Sequence, residues 1–338
     1  MIGPSIIDAI KFSVRIVTVH LALQPDEEVV IIADSYTERP MLDALAGAIA
    51  GVGGEYTIVT QPARTTPESI HKITRSALAA YEGADVIIPA TSSCGVSQYG
   101  ASHVLWPLLA ARKARVFTLS ERSLSEMTEG AAGADYLEVE KIGLSIIEAM
   151  GDARDVRITT ELGTDLTMSL AGVDLINLAS FSREPGQEGG IPSGEVTANP
   201  VVGSANGVAV IDGPIGYVGR PARPIRLLAR DGLWVDVEGD TPEADKLRHY
   251  FDEFENARNV AEFALGTNAW ARKNGVVSEE KKRFGTAHTA FGRSTRTSDW
   301  RCEVWSKVHG DLVIYRPTVE VDGRHIMRSG DLVAGRGR

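Results

Sequence analysis

Residues 1–152 alternate short apolar runs with stretches of helical period, and this alternation restricts the fold more than any other feature. Four short apolar runs have the length and composition typical of strands, at residues 29–34, 56–60, 85–89 and 115–119, and the first of them is predicted to be buried. Helical spacing separates them, for example at residues 41–50 and 67–81, and no short hairpin turn joins them. Because parallel strands need such crossover connections, the pattern predicts an α/β domain with a doubly wound, mostly parallel sheet.

The pattern changes after residue 152, where short strands separated by glycine and proline replace the alternation. Residues 156–160 and 166–170 flank a short turn, which predicts a β-hairpin. Further strands are predicted at residues 201–202, 208–211 and 233–237, and a helix at residues 241–256 with Pro242 in its first position. We therefore expect a Rossmann-like α/β domain over residues 1–152 and an α+β metal-binding domain over residues 153–338.

Composition excludes several classes of function. The net charge is −10, which disfavours sequence-independent binding to a phosphate backbone, so we expect no nucleic-acid partner. The two cysteines, Cys94 and Cys302, rule out a disulfide framework and a four-thiolate zinc site. No apolar run approaches the ~20 residues of a membrane span, and the N-terminus has no basic region before an apolar core. We expect a cytoplasmic protein without a membrane partner, whose metal ligands are His, Asp and Glu.

His309 and Asp311 stand two positions apart at the entrance of the apolar run 312–315. Alternate residues of a strand point to the same face, so the two side chains would project together. Gly310 between them leaves room for close backbone packing on the opposite face. Such a segment can bring an imidazole and a carboxylate to one metal ion, although an exposed pair at a strand entrance has the same pattern.

Three further candidates lie in apolar or glycine-rich surroundings. His288 is flanked by small residues between two glycines, a setting that also suits a core histidine bonded to a carbonyl. Glu262 lies within an apolar run, where an isolated buried carboxylate is costly unless it is paired or bound to a cation. Glu195 follows a Pro/Gly turn, where an ordinary exposed loop glutamate is the alternative.

Two histidines and three carboxylates match the ligand chemistry of a divalent metal centre. They are more than one tetrahedral ion requires, whereas two ions that share a carboxylate would use them all. We expect one or two ions of zinc, cobalt or manganese. The predicted ligands are Glu195, Glu262, His288, His309 and Asp311.

Two other features receive no functional role. The charge run Glu-Glu-Lys-Lys-Arg at residues 279–283 is expected to form a solvated face. Cys94 lies beside two serines but has no nearby histidine other than His103, so covalent catalysis is not favoured.

Four motifs resemble a known family when they are taken in order and with their spacing. They are Pro-Ser-Gly-Glu-Val at 192–196, Glu-Phe-Ala-Leu-Gly-Thr-Asn at 262–268, Gly-Thr-Ala-His-Thr-Ala-Phe-Gly at 285–292 and His-Gly-Asp at 309–311. This set resembles the thermophilic-type metallo-aminopeptidases. The resemblance implies an α/β N-terminal domain, a C-terminal domain in which the five residues above bind two divalent ions, and a homodimer.

The chain departs from that family in two respects. Residues 293–300, where the family carries its catalytic tyrosine, contain none, and the chain is shorter than typical peptidase members. In length, and in its Glu-Pro-Gly at 184–186 and Pro-Ser-Gly at 192–194, it is similar to a relative, 2,5-dihydroxypyridine 5,6-dioxygenase. The resemblance to that enzyme implies a single Fe(II) held by two histidines and one aspartate.

Glu262 stands where the dioxygenase has its first iron histidine, although His288, His309 and Asp311 could still supply a two-histidine, one-carboxylate set. The retained Glu195 and Glu262 favour the hydrolase, because additional carboxylates neutralise a second cation. We therefore expect a metallohydrolase that cleaves an amide or peptide bond of a small substrate with a metal-activated water. The alternatives are a ring-cleaving Fe(II) dioxygenase acting on a hydroxylated pyridine or aromatic ring, and a non-catalytic binding protein without a tightly bound metal.

Three residues receive catalytic roles under the hydrolase hypothesis. Glu195 or Glu262 would transfer a proton in addition to binding metal. Arg293 is the candidate donor to the developing oxyanion in place of the tyrosine, or the partner of a substrate carboxylate. A solvated surface arginine is the alternative for Arg293.

Overall fold

The computed structural model describes residues 5–64, 66, 69, 72–91, 102–119 and 128–333. The chain forms two compact units, Met1–Ala134 with Ser180–Ser193, and Asp135–Ala179 with Gly194–Arg338. The chain thus leaves the first unit before the helix Tyr136–Met150 and later returns to it. The division predicted after residue 152 places this helix in the first domain and includes no return. A short returning segment leaves little signal in a pattern of residues.

Helices and strands are numbered in chain order. The helices are α1 (Ile6–Arg15), α2 (Arg39–Gly51), α3 (Arg75–Glu82), α4 (Ser102–Ala110), α5 (Tyr136–Met150), α6 (Pro242–Glu253) and α7 (Val277–Glu280), with a π-helical turn at Ile16–His20 and a 3-10 turn at Gly130–Gly133. The first strands are β1 (Glu28–Asp34), β2 (Glu55–Gln61), β3 (Val86–Ala90), β4 (Arg115–Leu119), β5 (Asp155–Thr159), β6 (Asp165–Ser169), β7 (Ile176–Leu178), β8 (Glu188–Ile191) and β9 (Glu195–Ala198). The remaining strands are β10 (Asn206–Ile211), β11 (Ile225–Arg230), β12 (Leu233–Glu238), β13 (Val260–Gly266), β14 (Thr286–Gly292), β15 (His309–Tyr315), β16 (Thr318–Val321), β17 (Arg324–Arg328) and β18 (Asp331–Leu332).

The first unit contains a five-stranded sheet in the order β2-β1-β3-β4-β8, and every pair in it is parallel. The order reverses between β1 and β3, as it does in doubly wound sheets. The predicted parallel sheet is therefore confirmed. The fifth strand, β8, belongs to the returning segment and was not predicted.

One helix of this unit is shorter than its sequence pattern suggests. Part of the predicted range 67–81 lies outside the described residues, and residues 72–74 are not helical. Helix α3 begins after Thr74, whose hydroxyl accepts a hydrogen bond from the Ala77 N–H at 3.2 Å. A threonine cap of this kind satisfies one of the N–H groups that the first turn leaves open.

The second unit is built from two antiparallel sheets. One has eight strands in the order β12-β11-β10-β6-β5-β16-β17-β18, and the other has five in the order β15-β14-β13-β9-β7. The predicted hairpin is β5 and β6, and the predicted helix is α6, which begins after its cap Thr241 with Pro242 in first position. The strand predicted at residues 201–202 is wrong. Ser204 N–H donates to the Val201 carbonyl at 2.9 Å, and these exposed valines form a turn.

The five-stranded sheet has one apolar face, which contributes to the hydrophobic core of the second unit. Phe263 on β13, Phe291 on β14 and Leu312 on β15 are buried in that core. Gly310 lies on the same face, and a Cβ atom at this position would overlap the Phe291 ring. The predicted close packing opposite His309 and Asp311 is therefore confirmed, and glycine is required because an aromatic ring fills the space.

Candidate metal centre

The opposite face of the five-stranded sheet carries all five predicted ligands. Residues that pair directly across antiparallel strands point to the same side. In β15 and β14, Asp311 pairs with Ala290, two positions after His288, and His309 pairs with Gly292. This pairing and the period of two in each strand place both histidines and Asp311 on one face.

The same register extends to the two glutamates. Glu262 on β13 pairs with Ala290 on β14, and Glu195 on β9 pairs with Gly266 on β13. Four neighbouring strands thus contribute the five side chains, and each of the five is buried. The exposed-loop alternative for Glu195 and the exposed-pair alternative for His309 and Asp311 are wrong.

The ligand atoms fall into two groups that share Glu262. Within the described residues, Glu262, His309 and Asp311 form one group, and Glu195, Glu262 and His288 form the other. In the first group, His309 Nε2 lies 3.2 Å from Glu262 Oε2 and 3.5 Å from Asp311 Oδ1. In the second, His288 Nε2 lies 3.3 Å from Glu195 Oε2 and 3.9 Å from Glu262 Oε2. The two histidines therefore belong to different groups.

Buried polar atoms at this site point to a cation. Glu195 Oε2, Glu262 Oε2 and both ring nitrogens of His288 make no hydrogen bond within the part of the chain that the structure describes. Buried carboxylate oxygens without hydrogen bonds are costly unless a cation compensates them. Imidazole and carboxylate donors suit zinc, manganese or ferrous ions. The residues present therefore fit a divalent metal ion.

Two of the ligands are held by neighbouring groups. His309 Nδ1 donates a hydrogen bond to the Arg293 carbonyl at 2.6 Å, which leaves Nε2 directed at Glu262 and Asp311. The Thr197 hydroxyl donates to Glu262 Oε1. Hydrogen bonds of this kind set the tautomer and orientation of a ligand before the ion arrives.

Local charges favour a positive charge beside His309. Burial lowers the pKa of His309, but hydrogen bonds with Asp311 and Glu262 outweigh this effect and raise the pKa to about 9. Burial raises the pKa of Glu195, but the ammonium groups of Lys281 and Lys282 outweigh this effect. The pKa of Glu195 is therefore lower than its ordinary value. The field at His309 Nε2 thus suits a cation, whether a proton or a metal ion.

The prediction of a solvated face at residues 279–283 is wrong. Lys281 Nζ lies 3.1 Å from Asp311 Oδ1 and 3.8 Å from Glu195 Oε2, and Lys282 Nζ contacts Glu195 Oε1. Both lysines are buried, and the Lys282 carbonyl accepts a hydrogen bond from the Asn268 N–H at 2.8 Å. The preceding glutamates are also buried and have partners: Glu279 forms an ion pair with Arg272, and Glu280 accepts a hydrogen bond from the Tyr315 hydroxyl.

Sequence reasoning missed both lysines as parts of the centre. The available signal was their position, since the charged run lies between the motif of Glu262 and the motif of His288. A charged segment between two ligand motifs folds near the ligands when its connections are short. Gly266 permits this approach, because a Cβ atom there would overlap the Arg283 carbonyl.

Arg293 is buried, so its surface alternative is wrong. Its guanidinium carbon lies 5.3 Å from the centroid of the Trp305 ring, and its carbonyl holds His309. This arrangement gives Arg293 a positioning role through its backbone. Its predicted role as a donor to an oxyanion stays a prediction.

Comparison with known families favours one of the two candidate relatives. The family model described as 2,5-dihydroxypyridine 5,6-dioxygenase (NicX) matches residues 14–334. The chain belongs to this family. The match supports the dioxygenase alternative better than the hydrolase that the two retained glutamates suggest. No curated protein matches the chain in sequence.

Solved structures show that the fold is shared with both relatives. The 2,5-dihydroxypyridine dioxygenase from Pseudomonas putida KT2440 is 17% identical and has a TM-score of 0.80, with 99% of each chain covered. AmpT from Thermus thermophilus is 19% identical with a TM-score of 0.69, covering 96% of this chain and 99% of its own. The two-unit α/β architecture is therefore common to the dioxygenase and AmpT.

Some predictions from the sequence are not tested by the structure or by the comparisons. Cys94 lies outside the described residues, and so does the side chain of His103. The homodimer and the cytoplasmic location stay predictions. In the described part of the chain, no helix has the length and apolar character needed to cross a membrane.

Proposed function

We propose that the chain is a divalent-metal-dependent, ring-cleaving dioxygenase whose substrate is a hydroxylated pyridine or a related hydroxylated aromatic ring. The observation that supports it most is the family match over residues 14–334, in a chain with a buried group formed by Glu262, His309 and Asp311. Ferrous iron is the metal proposed for this group, because imidazole with carboxylates is a donor set of non-haem iron enzymes.

The proposed ligand set differs from two histidines and one carboxylate. Glu262 lies in the same group as His309 and Asp311, whereas His288 lies in the other group. Glu262 thus takes the place of one histidine and adds negative charge to the ion's surroundings. A ferrous ion bound there supplies the one-electron chemistry through which dioxygen reacts with a closed-shell ring.

The chain's own residues prepare this site. The Arg293 carbonyl and the Thr197 hydroxyl hold His309 and Glu262, so little reorganisation accompanies binding of the ion. Lys281 Nζ, at 3.1 Å from Asp311, places a positive charge where it can stabilise an ionised ring hydroxyl.

His288 is the proposed proton acceptor. Its Nε2 lies 3.8 Å from Asp311 Oδ1 and 3.9 Å from Glu262 Oε2, next to the proposed metal group. Neither ring nitrogen makes a hydrogen bond within the described residues, so Nε2 is available for a hydroxyl of the substrate. Ionising that hydroxyl makes the ring more electron-rich and easier to oxidise.

Oxygen uptake tests the proposal. The protein is reconstituted with Fe²⁺ without oxygen and then mixed with 2,5-dihydroxypyridine in aerated buffer. We expect one O₂ consumed per ring lost, and no uptake with Asp311→Asn. Full iron loading with no oxygen uptake on any hydroxylated pyridine or catechol would refute the proposal.

A metallohydrolase is the second candidate, and one observation favours it. Two donor groups that share a carboxylate are the arrangement of two-metal hydrolases, and the fold is also that of AmpT. This candidate requires two Zn²⁺, Co²⁺ or Mn²⁺ ions per chain and release of an amine from small amides or dipeptides in the absence of oxygen. Parallel preparations of one apoprotein, loaded with Fe²⁺ or with Zn²⁺, Co²⁺ or Mn²⁺, therefore separate the two candidates.

A further inference from the structure

Lys282 is buried against Glu195, one of the five predicted ligands. Its Nζ contacts Glu195 Oε1, and the Lys281 Nζ lies 3.8 Å from the other carboxylate oxygen. Burial of Lys282 is secured through its backbone, since its carbonyl accepts from Asn268 and the Phe284 N–H donates to the Asn268 carbonyl at 2.9 Å. The negative charge of Glu195 is thus already paired with lysine ammonium groups.

The charges of the centre limit how many metal ions it can hold. The centre contains three carboxylates, those of Glu195, Glu262 and Asp311, and two ammonium groups, those of Lys281 and Lys282, which contact Glu195 and Asp311 directly. One negative charge is left over when both histidines are neutral. A single divalent ion reverses this to one positive charge, whereas a second would bury three, at a high cost in desolvation and repulsion.

Geometry leads to the same result. In the two-ion arrangement, Glu195 and His288 would bind the second ion together with the shared Glu262. The Lys282 ammonium contacts the Glu195 carboxylate, whose negative charge would be needed to neutralise that ion. A point-like ammonium can take the electrostatic place of a metal ion, although it cannot accept lone pairs from His288.

We propose that Lys282 takes the place of a second cation and limits the centre to one divalent ion, held by Glu262, His309 and Asp311. The proposal rests on the proposed function only in requiring a metal centre at this face. It also accounts for the retained Glu195, which is needed as the partner of a buried lysine.

Metal stoichiometry tests the proposal independently of activity. Apoprotein is titrated with Co²⁺ without oxygen in a calorimeter, and the metal retained after gel filtration is measured by emission spectroscopy. We expect one cobalt ion per chain in the wild type and in Glu195→Gln. Lys282→Met, which removes the charge while keeping the length of the side chain, is expected to bind two ions.

Two further variants complete the set. The double variant Glu195→Gln/Lys282→Met should return to one ion, because the second site lacks its carboxylate. Lys246→Met, an exposed position on α6, should leave the count at one. The proposal is overturned by two ions in the wild type, by loss of an ion in Glu195→Gln, or by a folded Lys282→Met that binds one.

The outcome is separable from that of the proposed function. One ion in the wild type and two in Lys282→Met, with no oxygen uptake by the Fe²⁺-loaded wild type, reject the dioxygenase and keep the role of Lys282. A wild type that consumes oxygen and binds two ions rejects the role of Lys282 and keeps the dioxygenase. Glu195→Gln keeps both lysines, and loss of the ion in this variant would still overturn the proposal if Lys282→Met did not fold.

Discussion

His288 and His309 differ in their partners, although both are buried on the same face of one sheet. His309 has its Nδ1 bound to the Arg293 carbonyl and its Nε2 beside two carboxylates. His288 makes no hydrogen bond among the described residues and approaches Glu195 most closely, at 3.3 Å. The first arrangement is typical of a metal ligand with a supporting partner, and the second suits a group that exchanges a proton.

His309→Ala is expected to remove the ion. Two carboxylates alone bind a ferrous or cobalt ion more weakly, and we expect a loss in affinity of more than about 100-fold, beyond the cost of changing a supporting partner. Co²⁺ titration measures this affinity. The control is His249→Ala, an exposed histidine on α6. If His309→Ala keeps its metal content and its activity, the site assignment is wrong.

His288→Gln is expected to keep the ion and lose turnover. Removal of a general base lowers kcat by about 10²- to 10⁴-fold, while metal content stays at one ion per chain. Oxygen uptake and emission spectroscopy on the same sample measure both quantities. Loss of the ion in this variant would show instead that His288 is a ligand.

A single buried histidine of the first unit, His20, makes the free energy of unfolding depend on pH in the acid range. Burial, with the charges of Arg15 and Arg183, lowers the pKa of His20 to about 3. The folded state therefore holds His20 neutral, whereas the unfolded chain takes up a proton below the ordinary pKa of 6.5. Stability is present above that value and is lost as the pH falls toward 3.

This sign predicts a specific pH profile. Between pH 7 and pH 5, His20 should account for a loss of about 2 kcal/mol in the free energy of unfolding. Urea unfolding at both pH values should show a smaller loss in His20→Gln than in the wild type. An equal loss in both proteins would contradict the buried, neutral histidine, and His249→Gln serves as the matched control.

At the scale of elements, the alternation of side chains along a strand predicts which residues share a face of the sheet. It places His309 and Asp311 together and assigns Gly310 to the opposite face, and the structure confirms both. The pattern fails where charge was taken as a sign of exposure. Lys281 and Lys282 are buried in the charged run at residues 279–283, and their ammonium groups meet carboxylates of the distant strands β9 and β15.

Gly310→Ala tests the element-scale packing. An added methyl group would overlap the Phe291 ring within β14 and β15, and we expect a loss of stability of about 3 kcal/mol. Urea unfolding measures this loss. Gly47→Ala is the control, because nothing lies within 4 Å of the new methyl group and alanine favours the helix α2. An unchanged midpoint for Gly310→Ala would show that the ring does not fill this space.

At the scale of the whole molecule, the chain alternates between two units. The parallel sheet of the first unit follows from sequence, because each strand and each crossover helix is a local pattern. The fifth strand, β8, joins that sheet from a segment that follows α5 and β7. Its short glycine-containing sequence has no strong strand signal, so only the long-range pairing with β4 defines it.

The sequence by itself determined which residue types could bind a metal, since strand alternation, small neighbours and buried carboxylates are local features. Only the tertiary structure decided how those residues are grouped. The register across four strands separates His288 from His309, and the approach of residues 281–283 to β13 brings Lys282 to Glu195. Both depend on pairing between distant segments, and the free energy of that pairing is not contained in any local pattern of residues.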